Sequence, residues 1–233
     1  MIQKSALLLW LLAGPAATVA QTPPQPPAQV PAPATDEAPS NELPLPLFQL
    51  IEQRQYAAAL PEIQRLSARK NQHATYVLAT YHLCGRIVEF SCARAAALFA
   101  ESLASKNGLP VNEEVAQAAA NEVAWIHATC EQPGFQPDLD MAKHYAMEAY
   151  RISQGHPFAT DTLAAVVART GDFAQAARLQ RRAMAKMPEL YKGEDADPQA
   201  IVQFSRRLAL YEQGQGFRVT AATADENCHA LPN

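Results

Sequence analysis

Residues 157–190, PFATDTLAAVVARTGDFAQAARLQRRAMAKMPEL, decide the fold. They predict two short helices with a turn at Gly171-Asp172. The first helix carries Leu163, Ala164 and Val167 on one face. The second carries Ala176, Leu179, Gln180, Ala183 and Met187, a mostly apolar stripe at three- and four-residue steps. Pro188 is expected to close the unit.

The same arrangement recurs on the N-terminal side. The small residue early in each second helix serves as a ruler: Ala59 in QYAAALPEIQRL, Ala95 in CARAAALFAESL, Ala142 in DMAKHYAMEAY and Ala176 in DFAQAARLQRRA. The steps between them are 36, 47 and 34 residues, the uneven period of a repeat array whose loops take insertions. The first unit starts at Leu47, turns near Arg54-Gln55 and carries Pro61 near the start of its second helix, where proline is tolerated. The second places Tyr76, Ala79 and Leu83 on its first helix and runs its second from about Ala93 to Ser105, with Asn107-Gly108 as the stop. The third opens on an Asn112 cap followed by Glu113 and Glu114, which suit the positive end of a helix dipole. Its second helix starts at an Asp138 or Asp140 cap. After the fourth unit, Asp197-Pro198 predicts one more helix, with Ile201, Phe204, Leu208 and Tyr211 on its apolar side and Gly214 as its end. That helix suits the terminal cap a stack of repeats needs.

Taken together, a small residue in helix one, Gly-Asp-aromatic at the turn, alanines seven apart in helix two and a closing proline resemble the tetratricopeptide (TPR) repeat. The longer link GRIVEFSC in the second unit resembles the related Sel1-like repeat, although most glycines of that linker are missing. The resemblance implies an all-α, right-handed α-α superhelix, a solenoid of about four helix pairs plus a C-terminal capping helix, over residues 47–214. In such arrays the first helices line a concave groove that holds a peptide or extended segment. Carried onto this chain, the groove residues are Tyr76, Thr80, Asn121, Trp125, Asp161 and Arg169. An aromatic anchor beside an amide and a charge suits peptide capture. Packing of Tyr76 and Trp125 between helices is the alternative.

Residues 1–20 are read as a secretory signal peptide: Lys4, an apolar run from Ala6 to Ala13, then small residues up to Ala20. The apolar run is short of the roughly 20 residues that span a bilayer. Residues 21–46 form a linker with prolines at 23, 24, 26, 27, 31, 33, 39, 44 and 46; as polyproline II it would reach roughly 80 Å. Residues 215–233 lack periodicity and are expected to be a loosely ordered tail. The net charge of −4 gives no basic footprint for nucleic acid, and no stable membrane insertion is expected after signal cleavage.

Four cysteines, Cys84, Cys92, Cys130 and Cys228, in an exported chain suggest two disulfides with three possible connectivities. Cys84–Cys92 is favoured because one helix pair brings both ends near, which leaves Cys130–Cys228. Zinc is the rival, given His82 near Cys84 and His127 near Cys130, but neither pair has structural-zinc spacing. His127 with His144 is a further candidate metal pair. There is no nucleophile elbow, phosphate loop, zinc-protease or dinucleotide motif, so neither catalysis nor a cofactor is expected. Arg178, Arg181 and Arg182 read as a solvated stripe or a patch for an acidic partner. The expected function is non-catalytic: an exported, periplasmic or secreted envelope protein holding a protein or peptide ligand. The alternatives are an envelope enzyme or small-ligand receptor, for example for cell-wall peptides, and a structural spacer.

Overall fold

The structure is a computed structural model that describes residues 40–190 and 198–224. The expected signal peptide and most of the expected linker lie outside the described residues. Nine helices occur among the described residues: α1 (Leu45–Glu52), α2 (Tyr56–Ala68), α3 (Gln72–Cys84), α4 (Cys92–Glu101), α5 (Glu113–Thr129), α6 (Leu139–Ile152), α7 (Pro157–Arg169), α8 (Phe173–Leu190) and α9 (Pro198–Glu212). No strand is present among them. The one β-type contact is an isolated parallel bridge between Cys130 and Val219.

Side chains set the helix starts. Asn71, Ser91, Asn112 and Asp138 each accept a hydrogen bond from the backbone N–H three residues on, which satisfies a donor the helix itself cannot. Asp172 does the same for Gln175 at the start of α8. Gly85 ends α3 in the left-handed region, at φ 70°. A Cβ there would sit 2.9 Å from that of Phe90, so both backbone and space require glycine.

Each helix packs on the next in chain order, from α1 on α2 to α8 on α9. Further contacts join α3 to α5 and α5 to α7. One core runs from Leu47 and Ile63 through Tyr81, Phe99 and Val123 to Ala164, Ala176 and Tyr211. Between α5, α6 and α7 the packing is almost all alanine: Ala124, Ala128, Ala142, Ala146 and Ala165. Alanine-sized contacts let helix axes approach to about 8 Å, so larger side chains there would force the pairs apart at about 1–3 kcal/mol each. A third cluster joins α8 to α9 through Ala183, Met187, Ala200 and Phe204.

Several sequence expectations shift. Pro61 lies well inside α2 and Pro188 inside α8, so neither helix breaks at its proline. Helix α4 ends at Glu101 rather than Ser105, where Ser102 turns its hydroxyl back onto the Leu98 carbonyl at 2.9 Å. The buried side of α9 runs through Ala200, Phe204, Arg207 and Tyr211, while Ile201 is 42% exposed. The ordered chain begins before Leu47. Asn41 is buried, donates to Ser105 Oγ and the Pro110 carbonyl, and accepts from Gln72 N and Asn107 Nδ2. The tail is not loose where it is described: Phe217, Val219 and Ala224 are buried. Glu131 N donates to Val219 O at 2.8 Å and Val219 N to Thr129 O at 3.0 Å.

The disulfide pairing is also corrected. Cys92 bonds Cys130, with Cα atoms 6.1 Å apart. This ties the start of α4 to the end of α5, two elements already in contact, and rules out both Cys84–Cys92 and Cys130–Cys228. Gln132 supports the link by accepting from Cys92 N and donating to the Phe90 carbonyl. Cys84 is disulfide-bonded as well, and Cys228 lies outside the described residues.

Candidate binding face

Tyr76 and Thr80 stand one turn apart on α3, and Asn121 and Trp125 one turn apart on α5. Asp161 and Arg169 are two turns apart on α7. Steps of four and eight residues keep each pair on one side of its helix. The contacts of α5 with α3 and with α7 set the three helices side by side. Two different environments result.

Toward α7 the protein's own C-terminal part covers the face. Asp161 and Arg207 of α9 form a buried ion pair, Nε to Oδ1 2.7 Å, with side chains 5% and 6% exposed. Gln180 Nε2 donates to the same Asp161 oxygen at 2.7 Å and to the Phe204 carbonyl at 3.3 Å. Gln180 is the one polar member of the α8 stripe, fully buried, and its partner explains why. The Arg207 guanidinium lies over three rings, 5.2 Å from the Trp125 centroid, 5.0 Å from Phe204 and 5.4 Å from Phe217. Phe217 stacks at a tilt on Trp125 at 5.7 Å. Burying a charge is tolerated only when it is paired and hydrogen-bonded, and here aromatic faces add cation–π attraction. Arg169 lies near enough to Arg218 that, after burial, its charge pulls the Arg218 pKa down. Burial pushes the Tyr211 hydroxyl far above its usual range.

Toward α3 the face is different. Tyr76 packs edge-on against Phe99 of α4, centroids 5.1 Å apart, and Thr80 returns its hydroxyl to the Tyr76 carbonyl at 3.2 Å. Asn121 Nδ2 donates to Glu122 Oε1 at 3.4 Å. Asn121 Oδ1 is buried without a hydrogen-bond partner. Among the described residues Glu122 has no cation beside it, and burial pushes its carboxyl up to about 7, with the Asn121 contact pulling the other way. Burial and then the Glu122 charge raise the Tyr76 hydroxyl well above its usual value. A sealed amide oxygen without a donor and a half-buried carboxyl thus occur side by side on α5, the carboxyl close enough to Tyr76 of α3 to raise its hydroxyl. Sequence reading missed Glu122. The available signal was a carboxylate inside the apolar run Ala118 to Trp125, a place that a solvated face would not put it.

The other candidates resolve as structural groups. His127 is buried, stacks on Phe135 at 5.4 Å and accepts from Asp138 N through Nδ1 at 2.9 Å. The His144 side chain is 70% exposed and faces Glu148 on its own helix. His82 Nδ1 contacts the Glu89 carbonyl. No group of three metal-ligating side chains occurs among the described residues. Of the arginine stripe, Arg181 pairs with Glu212 at 2.5 Å and Arg182 lies 5.7 Å from the Tyr150 centroid. Arg178 and Arg181 edge a shallow depression of about 470 Å³ between α8 and α9, floored by Phe173, Ala177 and Tyr211. No helix among the described residues is long and apolar enough to cross a membrane.

Comparison of the chain with protein-family models, with curated proteins and with solved structures returns no match.

Proposed function

We propose that the chain is an exported, non-catalytic helical-repeat protein of TPR/Sel1-like type. Its helix pairs would follow a right-handed superhelix, and its first helices would line a groove that holds a protein or peptide segment. The cap and tail close the α7 end of that groove, and the open part is the stretch between α3 and α5. The observation that carries this reading is the Asn121 amide oxygen, left without a partner on α5 beside a half-buried Glu122 whose charge reaches Tyr76 of α3. Buried polar groups without partners are uncommon and destabilising, and a ligand that supplies donors removes the penalty. Export is supported by the leader and by the disulfide chemistry, which persists in oxidising compartments such as the periplasm.

The second reading, an envelope enzyme or small-ligand receptor, draws on the Glu122 carboxyl, since a value near 7 suits a general acid or base. It requires a second reacting group within hydrogen-bond reach of Glu122, and Asn121 is the polar neighbour that contacts it.

Photocrosslinking separates these readings. A benzophenone side chain at position 80 is expected to trap a polypeptide in the native envelope. The same group at exposed Val202 on α9 is expected to trap none. Equal trapping at both positions, or none at position 80, would remove the groove reading.

A further inference from the structure

We propose that Cys84 and Cys228 form a second disulfide, which pins the C-terminal segment to the end of α3 and encloses the Cys92–Cys130 link within its own loop.

Cys84 is disulfide-bonded, and no cysteine among the described residues is free. The chain has four cysteines, and two of them, Cys92 and Cys130, are bonded to each other. Cys228 is the one sulfur that remains within the chain. A bond to a second copy is disfavoured, because Cys84 is 2% exposed at the end of α3 and two bonded sulfurs stand only about 2.05 Å apart.

Reach supports the pairing. Three residues separate Ala224 from Cys228, so their Cα atoms stand at most about 14 Å apart. A disulfide then spans about 6 Å between Cα atoms. Ala224 and Cys84 belong to one buried cluster, together with Val219, Cys130 and Cys92. Short contacts lead from one to the other. Ala224 N donates to the Thr220 carbonyl at 2.8 Å, Val219 bridges to Cys130, Cys130 bonds Cys92, and Ser91 N donates to the His82 carbonyl at 3.0 Å. The end of α3, the start of α4, the end of α5 and the segment after α9 thus meet at one place. A bond from Cys84 holds that last segment from its far side, so Phe217 and Val219 are retained by more than their own packing. Forming the bond takes one proton from each thiol and two electrons from the pair. A disulfide of an exchange partner in an oxidising compartment accepts them and leaves as two thiols.

Trypsin separates the four cysteines into peptides 71–86, 87–94, 107–143 and 219–233. The test is disulfide mapping by mass spectrometry on the full chain produced in an oxidising compartment. Free thiols are alkylated, and digestion proceeds without reductant at about pH 6, where few thiols are ionised to exchange. Peptide 71–86 is expected joined to 219–233, and 87–94 to 107–143. Peptide 71–86 joined to any other peptide, a second copy of itself included, would overturn the proposal, as would alkylated Cys84 or Cys228. In denaturant, Cys228→Ser is expected to show one alkylatable thiol per chain, at Cys84, against none in wild type. Its thermal midpoint should be lower, with 87–94 still joined to 107–143. No new thiol at Cys84, or an unchanged midpoint, would overturn the pinning.

Discussion

Replacing Glu122 by glutamine is expected to make the protein more stable, and by an amount that depends on pH. A carboxyl held at about 7 instead of the ordinary 4.5 binds its proton more tightly folded than unfolded. The stability it contributes is therefore fully present below about pH 4.5 and is lost as pH rises through about 7. The full difference corresponds to at most about 3 kcal/mol. Water at the partly exposed edge of the side chain screens part of it, leaving about 2 kcal/mol. Glutamine carries no charge to desolvate, and its amide offers a donor to Asn121 Oδ1. Tyr76 from α3 is the titratable group facing the site, and it stays neutral throughout this window. Urea unfolding followed by circular dichroism at pH 5, 6, 7 and 8 reads the difference between variant and wild type, which cancels the other titrating groups. The difference should be about 0.5 kcal/mol at pH 5, rising to about 2 kcal/mol in favour of the variant at pH 8. A difference flat across pH, or a less stable variant at pH 8, would refute the claim that the carboxyl is desolvated and unpaired.

Three other perturbations test the closed half of the face. Asp161→Asn leaves Arg207 buried without its counter-charge and should cost about 3–5 kcal/mol; adding Arg207→Met should recover much of it in the same urea assay. Phe217→Ala should cost about 3 kcal/mol and red-shift Trp125 emission in a chain starting at residue 21, where Trp125 is the one tryptophan. Replacing Cys92 and Cys130 together by serine opens a link across 38 residues. On loop entropy this removes about 4 kcal/mol, read as a lower thermal midpoint than wild type without reducing agent; an unchanged midpoint would contradict it.

Helix content was legible because its signals are local. The caps at Asn71, Asn112 and Asp138, the Gly-Asp turn before Phe173 and the alanine spacing all act within a few residues of one another. The closed half of the face was not legible. Arg207 reads as a surface charge on α9 until Asp161, 46 residues earlier, and three aromatic rings are brought around it. Phe217 and Val219 lie in a stretch without periodicity, and the end of α5 together with Arg207 of α9 gives them a place to pack. The cysteine error has the same origin. Chain proximity favoured Cys84 with Cys92, whereas the packing of α4 on α5 brought Cys92 to Cys130. Glu122 was overlooked beside Asn121 because a glutamate on a helix is ordinarily solvated; burial between α3 and α5 is a property of the packed pair.

The most direct measurement is a two-dimensional amide NMR titration of a chain starting at residue 21 with peptides selected on it from a random display library. The expected result is a saturable shift of the Asn121 side-chain amide together with the Tyr76 and Thr80 backbone signals, absent when Thr80 is replaced by tryptophan. Shifts confined to the depression at Phe173 and Arg178, or to no defined face, would contradict the assignment of the α3–α5 stretch as the place where this protein holds its partner.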